Sequence, residues 1–331
     1  MSKIVEFTGT YRGTRYIGAK AVLVKGPFEG AKGTQITVNG EGNEALPQQI
    51  FRVVLDGPNS YTILSGDDAK MPSEPTDDEL DAKISRRFRA LDTMSNATIN
   101  GINNALIVSG PAGLGKSFSV ELALKEAEEL HGTRYESIKG FVRATGVYKT
   151  LYNMRNPGDV IVFDDADSVL LDDVSLNLLK AALDTTEERW ISWRTEGKME
   201  AEDGEVIPNR FLFEGQVIFI TNLDFEGMID KGSKIAPHLE ALLSRSHYLD
   251  LDIRTPREYI VRIKQVCRHG MLKKKGLSAE QEREVIGYME QNAPRLRELS
   301  LRMALKLATM LKMDPEGWQD LAEVTVLKRA R

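Results

Sequence analysis

Hydrophobic and polar residues alternate in short runs along the first 64 residues, which is the pattern of half-buried β-strands. The runs that read as strands cover residues 4–7, 21–24, 35–38 and 51–55. Turns rich in Gly and Pro separate them. The sequence therefore predicts a small all-β domain over residues 1–64, built as a barrel or a sandwich.

The pattern changes after this region. Residues 65–79 are polar, acidic and contain Pro, so we predict a linker. Leu80, Ile84, Phe88 and Leu91 then recur at helical spacing. From about residue 100 to 250, strand-like runs alternate with helical ones, which indicates a largely parallel sheet with helices on both faces. We predict an α/β domain over 80–253 and an all-helical domain over 254–331, with helices at 256–269, 278–291, 294–311 and from 315 to 328.

The first candidate site lies where the apolar run 105–109 enters a Gly-rich turn and then a helical pattern. Residues 110–117, here called the phosphate cradle, show Gly-x-x-x-x-Gly-Lys-Ser in the strand-to-helix setting of a phosphate-binding loop. Inward N–H groups and the helix N-terminus hold a di- or triphosphate. Lys116 is expected to reach the β/γ-phosphates and the Ser117 hydroxyl to complete a Mg²⁺ shell. The predicted nucleotide-binding residues are Gly110, Pro111, Ala112, Gly113, Leu114, Gly115, Lys116, Ser117 and Phe118.

Two further strands end in polar side chains. The apolar run 160–163 ends in Asp164 and Asp165, at the edge where ligands bind in open α/β sheets. Asp164 is expected to hold Mg²⁺ through its water shell, and Asp165 to orient or deprotonate the attacking water. The strand 216–221 ends at Asn222, whose amide is placed to position that water. The alternative for Asn222 is an ordinary turn residue.

Arginines near helix ends form a third group of candidates. Arg245 falls at a helix–strand junction. From there its side chain can reach across to a neighbouring subunit and stabilise the charge on the phosphoryl group that is transferred there. Pro294 suits the first turn of a helix, which places Arg295 and Arg297 near its N-terminus. Positive charge there opposes the helix dipole and indicates an anionic ligand. The alternative is a solvated basic face.

Composition narrows the possible partners. The 331 residues carry a net charge of −5, so a nucleic-acid contact requires a local basic patch. Residues 11–16, Tyr-Arg-Gly-Thr-Arg-Tyr, interleave bases with rings and suit a nucleic-acid strand; the alternative is an exposed hairpin. No apolar run approaches the ~18 residues of a membrane span, and the start does not read as a signal sequence. We expect a soluble, cytoplasmic protein without a membrane partner.

In this order, the cradle, the acidic strand, the Asn-ending strand and the helical region with Arg resemble the AAA+ ATPases over roughly residues 80–331. The resemblance makes residues 110–117 the Walker A loop, Asp164 and Asp165 the Walker B acids, and Asn222 sensor 1. Arg245 becomes the arginine finger, in a Ser-Arg setting similar to clamp-loader subunits.

The resemblance also makes the helical domain a lid that carries the sensor 2 arginine. Arg297 is preferred, because Arg-Glu-Leu looks like the sensor 2 region of bacterial enhancer-binding members, and Arg295 and Arg302 are the alternatives. Phe141, Arg143 and Tyr148 fall where the family has its first pore loop, with core packing as the alternative. Residues 187–214 are interpreted as a hairpin insert facing the pore of a ring.

The resemblance implies ATP and Mg²⁺ as cofactors and a homo-oligomer, expected to be a hexameric ring, because an arginine finger has no partner in a monomer. ATP hydrolysis would remodel a macromolecule. The compact organisation and the Asp-Asp-Ala-Asp strand look like AAA+ proteins of tailed phages, which favours DNA replication, recombination or repair. The alternatives are a chaperone with a protein client and a slowly hydrolysing, ATP-switched scaffold. The scaffold is favoured by Asp165, where the family usually carries Glu.

Overall fold

The computed structural model describes two compact units of the chain. One unit comprises Met1–Asp78 with Glu226–Ala236, and the other comprises Glu79–Phe225 with Pro237–Arg331. The predicted linker 65–79 lies largely outside the described residues, and helix α1 already begins at Asp77. The described residues are 3–30, 32–40, 43, 45–47, 50–65, 75–194, 199–201, 204–230 and 232–329.

The first unit contains an antiparallel barrel of five strands, which confirms the predicted all-β region. Strand β1 pairs with β2 on one side and with both β4 and β5 on the other, while β3 joins β2 to β4. Side chains that alternate along the strands meet inside, among them Phe7, Ile36 and Val53. The strands are β1 (Lys3–Tyr11), β2 (Thr14–Gly30), β3 (Gly33–Asn39), β4 (Ile50–Leu55) and β5 (Tyr61–Leu64).

The basic and aromatic run 11–16 forms the hairpin between β1 and β2, which was the alternative interpretation. The Tyr11 and Tyr16 rings pack on Phe51 of the barrel core, with centroid distances of 4.7 and 6.4 Å. Arg15 pairs with Asp56 at 2.7 Å. Neither ring is therefore presented for stacking on a nucleic-acid base.

The second unit is built on a parallel sheet of five strands in the order β14-β6-β13-β8-β7. The strands are β6 (Ala105–Ser109), β7 (Tyr135–Lys139), β8 (Val160–Asp164), β13 (Gln216–Thr221) and β14 (His247–Asp250). Because Ser109 lies opposite Thr221, and Asp164 opposite Ile220, three strands end at one edge. The predicted fold class, a parallel α/β sheet with a helical C-terminal region and an N-terminal β domain, is confirmed.

Helices connect these strands. They are α1 (Asp77–Ile99), α2 (Lys116–His131), α3 (Ala144–Asn153), α4 (Asp173–Ala182), α5 (Phe225–Asp230) and α6 (Ala236–Leu243). The apolar stripe of α1 packs on the sheet through Leu80, Ile84, Phe88 and Leu91, as its periodicity predicted. In the described ranges, no helix combines the length and apolar character that a membrane crossing needs.

Residues 187–214 contain the predicted hairpin. Antiparallel pairs join β9 (Trp190–Ser192) to β12 (Arg210–Leu212), and β10 (Met199–Glu200) to β11 (Val206–Ile207). At the base of the insert, Phe211 packs against Tyr148 and Tyr152 of α3, with centroids 5.1 and 5.2 Å away. The hairpin is thus anchored on helix α3 through its last strand.

Four helices form the C-terminal lid: α7 (Pro256–Arg268), α8 (Ala279–Gln291), α9 (Leu301–Met313) and α10 (Trp318–Val326). Thr255 and Ser278 cap α7 and α8 through capping boxes, close to the predicted starts. The helices pack around a common apolar core that includes Met303, Leu307 and Trp318.

The helix predicted over 294–311 is wrong at its start. Its N-cap is Ser300, whose hydroxyl accepts from the Met303 N–H. The residues before it pair with the end of the chain, since Arg297 N–H donates to the Val326 carbonyl at 3.0 Å. Pro294 fits a first helical turn locally, but this distant pairing holds the segment out of the helix. The last helix is also shorter than predicted.

Trp318 of α10 gives a test of how the lid is held together. Its side chain is 1% exposed, its indole N–H donates to Glu284 at 2.9 Å, and its ring packs on Tyr288. We expect Trp318→Ala to lower the free energy of unfolding by about 3–5 kcal/mol, because it leaves a large cavity. Urea denaturation followed by far-UV circular dichroism measures the change.

Val324→Ala on the same helix is the matched control, because Val324 is 74% exposed. We expect it to change the unfolding free energy by less than about 0.5 kcal/mol. Equal effects of the two substitutions would contradict the packing described for the lid.

Candidate active site at the phosphate cradle

The phosphate cradle joins the end of β6 to the start of α2. Gly113 and Gly115 have φ values of 74° and 97°, a region that glycine enters without strain. A side chain on Gly113 would also meet Ser300, since its Cβ would lie 2.7 Å from the Ser300 Cβ. Gly115 is the N-cap of α2 and leaves the first N–H groups of the helix to an anion. The backbone thus follows the strand–turn–helix path that the motif requires.

Lys116 is folded into its own loop and is 5% exposed. Its ammonium donates to the Gly110 carbonyl, to the Pro111 carbonyl at 2.9 Å and to Asn222 Oδ1 at 2.9 Å. These three acceptors are neutral. A phosphate oxygen would be a stronger partner, because hydrogen bonds between charged groups are roughly twice as strong.

The charge of Lys116 is balanced by its surroundings. Burial lowers the pKa of Lys116 to about 8, the carboxylates of Asp165 and Asp164 oppose this shift, and the Arg302 guanidinium adds to it. The pKa of the ammonium therefore depends both on the acids at the strand end and on a lid arginine. This places Lys116, Asp164, Asp165 and Arg302 in one electrostatic environment.

Ser117 and Asp164 form the pair that fits a magnesium ion. The Ser117 hydroxyl donates to Asp164 Oδ1 at 2.7 Å, and Lys139 lies 3.1 Å from Asp164 Oδ2. A cavity of about 130 Å³ lies beside this pair. Mg²⁺ prefers oxygen ligands and keeps several waters, so a hydroxyl, a carboxylate and a space of a few water volumes match its needs.

Asp165 and Asn222 meet at the same edge of the sheet. Asn222 Nδ2 donates to Asp165 Oδ1 at 2.8 Å, while Asn222 Oδ1 accepts from Lys116. Asp165 has a φ of 53°, which is uncommon for a residue other than glycine. Its backbone N–H is held by the Ile220 carbonyl at 3.0 Å. The amide thus links the acid to the ammonium, and strained backbone of this kind clusters at functional sites.

The lid touches the cradle directly. Leu301 N–H donates to the Gly113 carbonyl at 2.8 Å, and Arg262 Nε donates to the Leu114 carbonyl at 3.3 Å. Both contacts start from lid helices, α9 and α7. The position of the lid is therefore coupled to the backbone of the loop that precedes α2.

Of the three lid arginines predicted from the sequence, Arg302 is the one next to Leu301, whose N–H donates to the Gly113 carbonyl. Arg302 follows Leu301 in α9 and acts electrostatically on Lys116. Arg297 instead donates to the Leu327 carbonyl at 3.4 Å, and Arg295 pairs with Glu323 at 3.2 Å. The preference for Arg297 rested on the likeness of Arg-Glu-Leu to a sensor 2 region. Because α9 begins at Leu301, Arg302 and not Arg297 lies in its first turn.

Arg245 lies at the opposite edge of the sheet. Strand β14 runs parallel to β6 with His247 opposite Leu106 and Asp250 opposite Ser109, so Arg245 precedes the amino ends of both strands. The four residues of β14, about 13 Å of strand, lie between that end of the sheet and the level of the cradle. Its side chain is 33% exposed and donates to the Ala241 carbonyl at 2.9 Å. Arg245 is thus half-exposed and remote from the cradle of its own chain.

The three pore-loop candidates have different environments. Phe141 is 77% exposed, and Arg143 is exposed at the N-cap of α3. Tyr148 is 1% exposed, donates to the Pro208 carbonyl at 2.7 Å, and has its pKa raised to about 12 by burial. Tyr148 is therefore a core residue, which was the alternative interpretation, and only Phe141 and Arg143 are accessible.

Sequence reasoning missed Lys139 and Arg262. Lys139 is the last residue of β7 and lies opposite Asp164 in the parallel register, a relation that requires the strand order. Arg262 is half-buried, 3.2 Å from the Phe88 ring centroid, and burial lowers its pKa to about 10. Its signal in the sequence was an Arg within the apolar stretch 259–263 of a predicted helix.

Solved structures with a similar chain path are NtrX from Brucella abortus in complex with ATP, a DNA replication initiation factor, and AMPPCP-bound DnaA from Aquifex aeolicus. Their TM-scores are 0.42, 0.41 and 0.40, with sequence identities of 12, 14 and 15%. They cover 71, 72 and 71% of this chain. The chain in turn spans 52, 64 and 63% of those proteins.

No protein-family model matches the chain. The "Uncharacterized 36.7 kDa protein in nrdC-mobD intergenic region" of enterobacteria phage T4 is 42% identical over 246 residues, which are 74% of this chain and 75% of that protein. The phosphate cradle on a parallel sheet and the C-terminal helices beside it agree with the AAA+ resemblance of the motifs. The chain belongs to the family of the phage T4 36.7 kDa protein.

Proposed function

We propose that the chain binds ATP with Mg²⁺ in the phosphate cradle and hydrolyses it at the boundary between subunits of a homo-oligomer. One observation carries this proposal. Asp165, Asn222 and Lys116 form a continuous hydrogen-bonded chain beside the Ser117–Asp164 pair. An acid, an amide, a phosphate-seeking ammonium and a metal-type pair thus converge at one sheet edge, as phosphoryl transfer to water requires.

Binding would begin with the cradle. The N–H groups at the start of α2 would receive the phosphates, and Lys116 would exchange its loop carbonyls for phosphate oxygens. Ser117 and Asp164 would hold Mg²⁺, which when bound neutralises charge on the β- and γ-phosphates. The Lys139 ammonium beside Asp164 would be displaced or would shift, because ion and ammonium compete for the same carboxylate.

Hydrolysis would rely on Asp165 and Asn222. The exposed Asp165 carboxylate would accept a proton from the attacking water or orient it, while the Asn222 amide fixes the carboxylate. Asp reaches one methylene less far than Glu. Its left-handed backbone conformation changes where the carboxylate points. A slowly hydrolysing, ATP-switched scaffold is the second candidate, and this short side chain is the observation that favours it.

Two arginines would complete the site. Arg302 would approach the phosphates from the lid of the same subunit. Arg245, at the opposite end of the strands from its own cradle, would serve the cradle of a neighbour. This arrangement requires a head-to-tail contact between copies, and such contacts generate rings when the rotation closes. A hexamer is the assembly proposed.

The ring would act on a macromolecule, and we propose DNA replication, recombination or repair as its setting. The support is the AAA+ resemblance together with a related protein carried by a phage. Remodelling of a protein client is the alternative. Stimulation of phosphate release by DNA, lost at high salt, would separate the two, because contacts with phosphates weaken steeply as salt is added.

The first prediction concerns the pH dependence of ATP affinity. The pKa of Lys116 is lowered to about 8 in the free protein, and a bound phosphate would raise it again. ATP binding should therefore take up a proton and weaken by up to about tenfold per pH unit above pH 8. Titration with a fluorescent ATP analogue in the absence of Mg²⁺ measures this dependence.

Lys116→Met is the control for this effect. It should bind ATP weakly at every pH and retain the far-UV circular dichroism spectrum of the fold. Wild-type affinity that stays constant between about pH 7 and 9 would contradict the role given to Lys116.

The second prediction separates the lid arginines. Arg302→Ala should reduce ATP hydrolysis by about 10- to 150-fold, the effect of losing one hydrogen bond to a charged group. Arg297→Ala should leave the rate within about twofold, because Arg297 bonds to the Leu327 carbonyl instead. Initial rates of phosphate release measure the two effects, and thermal unfolding midpoints check that both variants fold. A larger loss of rate in Arg297→Ala than in Arg302→Ala would make Arg297 the lid arginine of the site.

The third prediction tests whether Arg245 acts on a neighbour. Arg245→Ala and Lys116→Ala should each lose about 10³-fold or more in rate. Mixing them in equal amounts should restore activity at about a quarter of the interfaces, where an intact cradle meets an intact arginine. Phosphate release from the mixture, compared with each variant alone, measures the rescue.

Arg283→Ala is the matched control, since Arg283 likewise donates to the carbonyl four residues earlier in its helix. It should hydrolyse ATP like the wild type. A mixture as inactive as its components would exclude action between subunits, and a wild type without turnover would favour the scaffold.

A further inference from the structure

The outer face of the barrel carries two rows of side chains across β2, β3 and β4. Lys25 lies opposite Thr37, and Thr37 lies opposite Arg52 on the next strand. In the adjoining row, Phe28 lies opposite Gln35. The intervening residues Ile36, Val38 and Val53 point into the core and are buried. These five outward residues, Lys25, Phe28, Gln35, Thr37 and Arg52, are here called the β2–β4 face.

Two β-bulges bring Lys25 and Phe28 onto this face. The register of β2 against β3 shifts between Leu23 and Lys25 and again between Lys25 and Phe28. In a regular strand, side chains three residues apart point to opposite faces. The second bulge removes this alternation, so a cation and an aromatic ring share one surface. Bulges re-aim side chains in this way next to functional sites.

The Phe28 ring is flanked by two cations. Lys25 Nζ lies 5.1 Å and the Arg52 guanidinium 5.7 Å from the ring centroid. Within the described residues, neither cation forms an ion pair. The neighbouring acid Glu29 instead accepts a hydrogen bond from the Thr34 hydroxyl, with 2.7 Å between Oγ1 and Oε1. A cation–π contact at an exposed site is weak. Both cations are therefore free to turn toward an anion without breaking a salt bridge.

The local charge is opposite in sign to that of the whole chain. Residues 1–65 contain seven Lys and Arg against five Asp and Glu, whereas the chain has a net charge of −5. The basic face thus belongs to the barrel and not to the protein as a whole. The hairpin 11–16 does not share this character, since its rings pack on Phe51 and Arg15 pairs with Asp56.

We propose that the β2–β4 face binds single-stranded nucleic acid. A base would stack on Phe28, the flanking phosphates would contact Lys25 and Arg52, and Thr37 and Gln35 would offer hydrogen bonds beside them. Stacking platforms combined with cations that follow the backbone are the means by which proteins bind single strands. The inference rests on the proposed role in DNA metabolism, deepens it, and names a site in the compact unit that does not contain the cradle.

Binding of a fluorescent oligothymidylate of about 20 nucleotides, measured by anisotropy with the full chain and without ATP, tests this site. Phe28→Ala should weaken binding by about tenfold, the effect of losing one stacked base. Phe28→Trp should retain it. Lys25→Ala/Arg52→Ala should weaken binding and reduce the slope of log affinity against log salt by about 0.7 for each phosphate that the protein no longer neutralises.

Arg12→Ala/Arg15→Ala is the matched control, because it removes two positive charges from the same barrel outside this face. It should leave both affinity and salt slope close to those of the wild type. An oligouridylate of the same length shows whether DNA or RNA is preferred, and tight binding of either supports the face.

Three results would overturn the proposal. They are a wild-type protein that does not bind either oligonucleotide at low salt, Phe28→Ala binding as tightly as the wild type, and a decrease in affinity in Arg12→Ala/Arg15→Ala equal to that in Lys25→Ala/Arg52→Ala. The first would leave a protein client as the partner of this face. Lys116→Ala should still bind the oligonucleotide, so failure of the ATPase proposal and failure of this one give different results.

Discussion

The buried ammonium of Lys116 is the constraint on which the second unit depends. A cation with this little exposure is costly unless surrounding groups compensate it. Two loop carbonyls, the Asn222 amide and the nearby carboxylates of Asp164 and Asp165 provide that compensation. They come from three different strand ends, so the sheet must hold those ends level. The parallel register of β6, β13 and β8 does this, and the same groups that make the ammonium tolerable are those that ATP hydrolysis would use.

The lid is tied to this centre through backbone contacts. Leu301 N–H reaches the Gly113 carbonyl, and the close approach of Ser300 leaves no room for a side chain on Gly113. Arg262 adds a second contact, to the Leu114 carbonyl, while its guanidinium covers the Phe88 ring of α1. A change in the cradle backbone on nucleotide binding would therefore alter the contacts of α7 and α9.

The two edges of the sheet have different chemistry. The carboxyl edge gathers acids, amide and ammonium around the cradle, whereas Arg245 lies beyond the amino edge, where it contacts the Ala241 carbonyl and lies 3.9 Å from Asp184 of its own chain. If Arg245 serves a neighbouring cradle, as proposed, the ring would have a catalytic reason to form. The barrel adds a third kind of surface, since its bulged strand places Phe28 between Lys25 and Arg52 on the outside.

The sequence by itself determined the features that depend on local chemistry. Strand periodicity predicted an all-β region and a parallel sheet, though not whether the first was a barrel or a sandwich. The Gly-rich turn and the polar strand ends of Asp164, Asp165 and Asn222 predicted the edge where the site lies. Only the tertiary structure decided matters that depend on residues distant in the chain. The pairing of Arg297 with Val326 keeps the residues before Ser300 out of α9, and the strand order places Lys139 beside Asp164. Likewise, Tyr148 is buried, and Tyr11 and Tyr16 pack half-buried on Phe51, through partners that lie far away in sequence. No local pattern encodes such contacts.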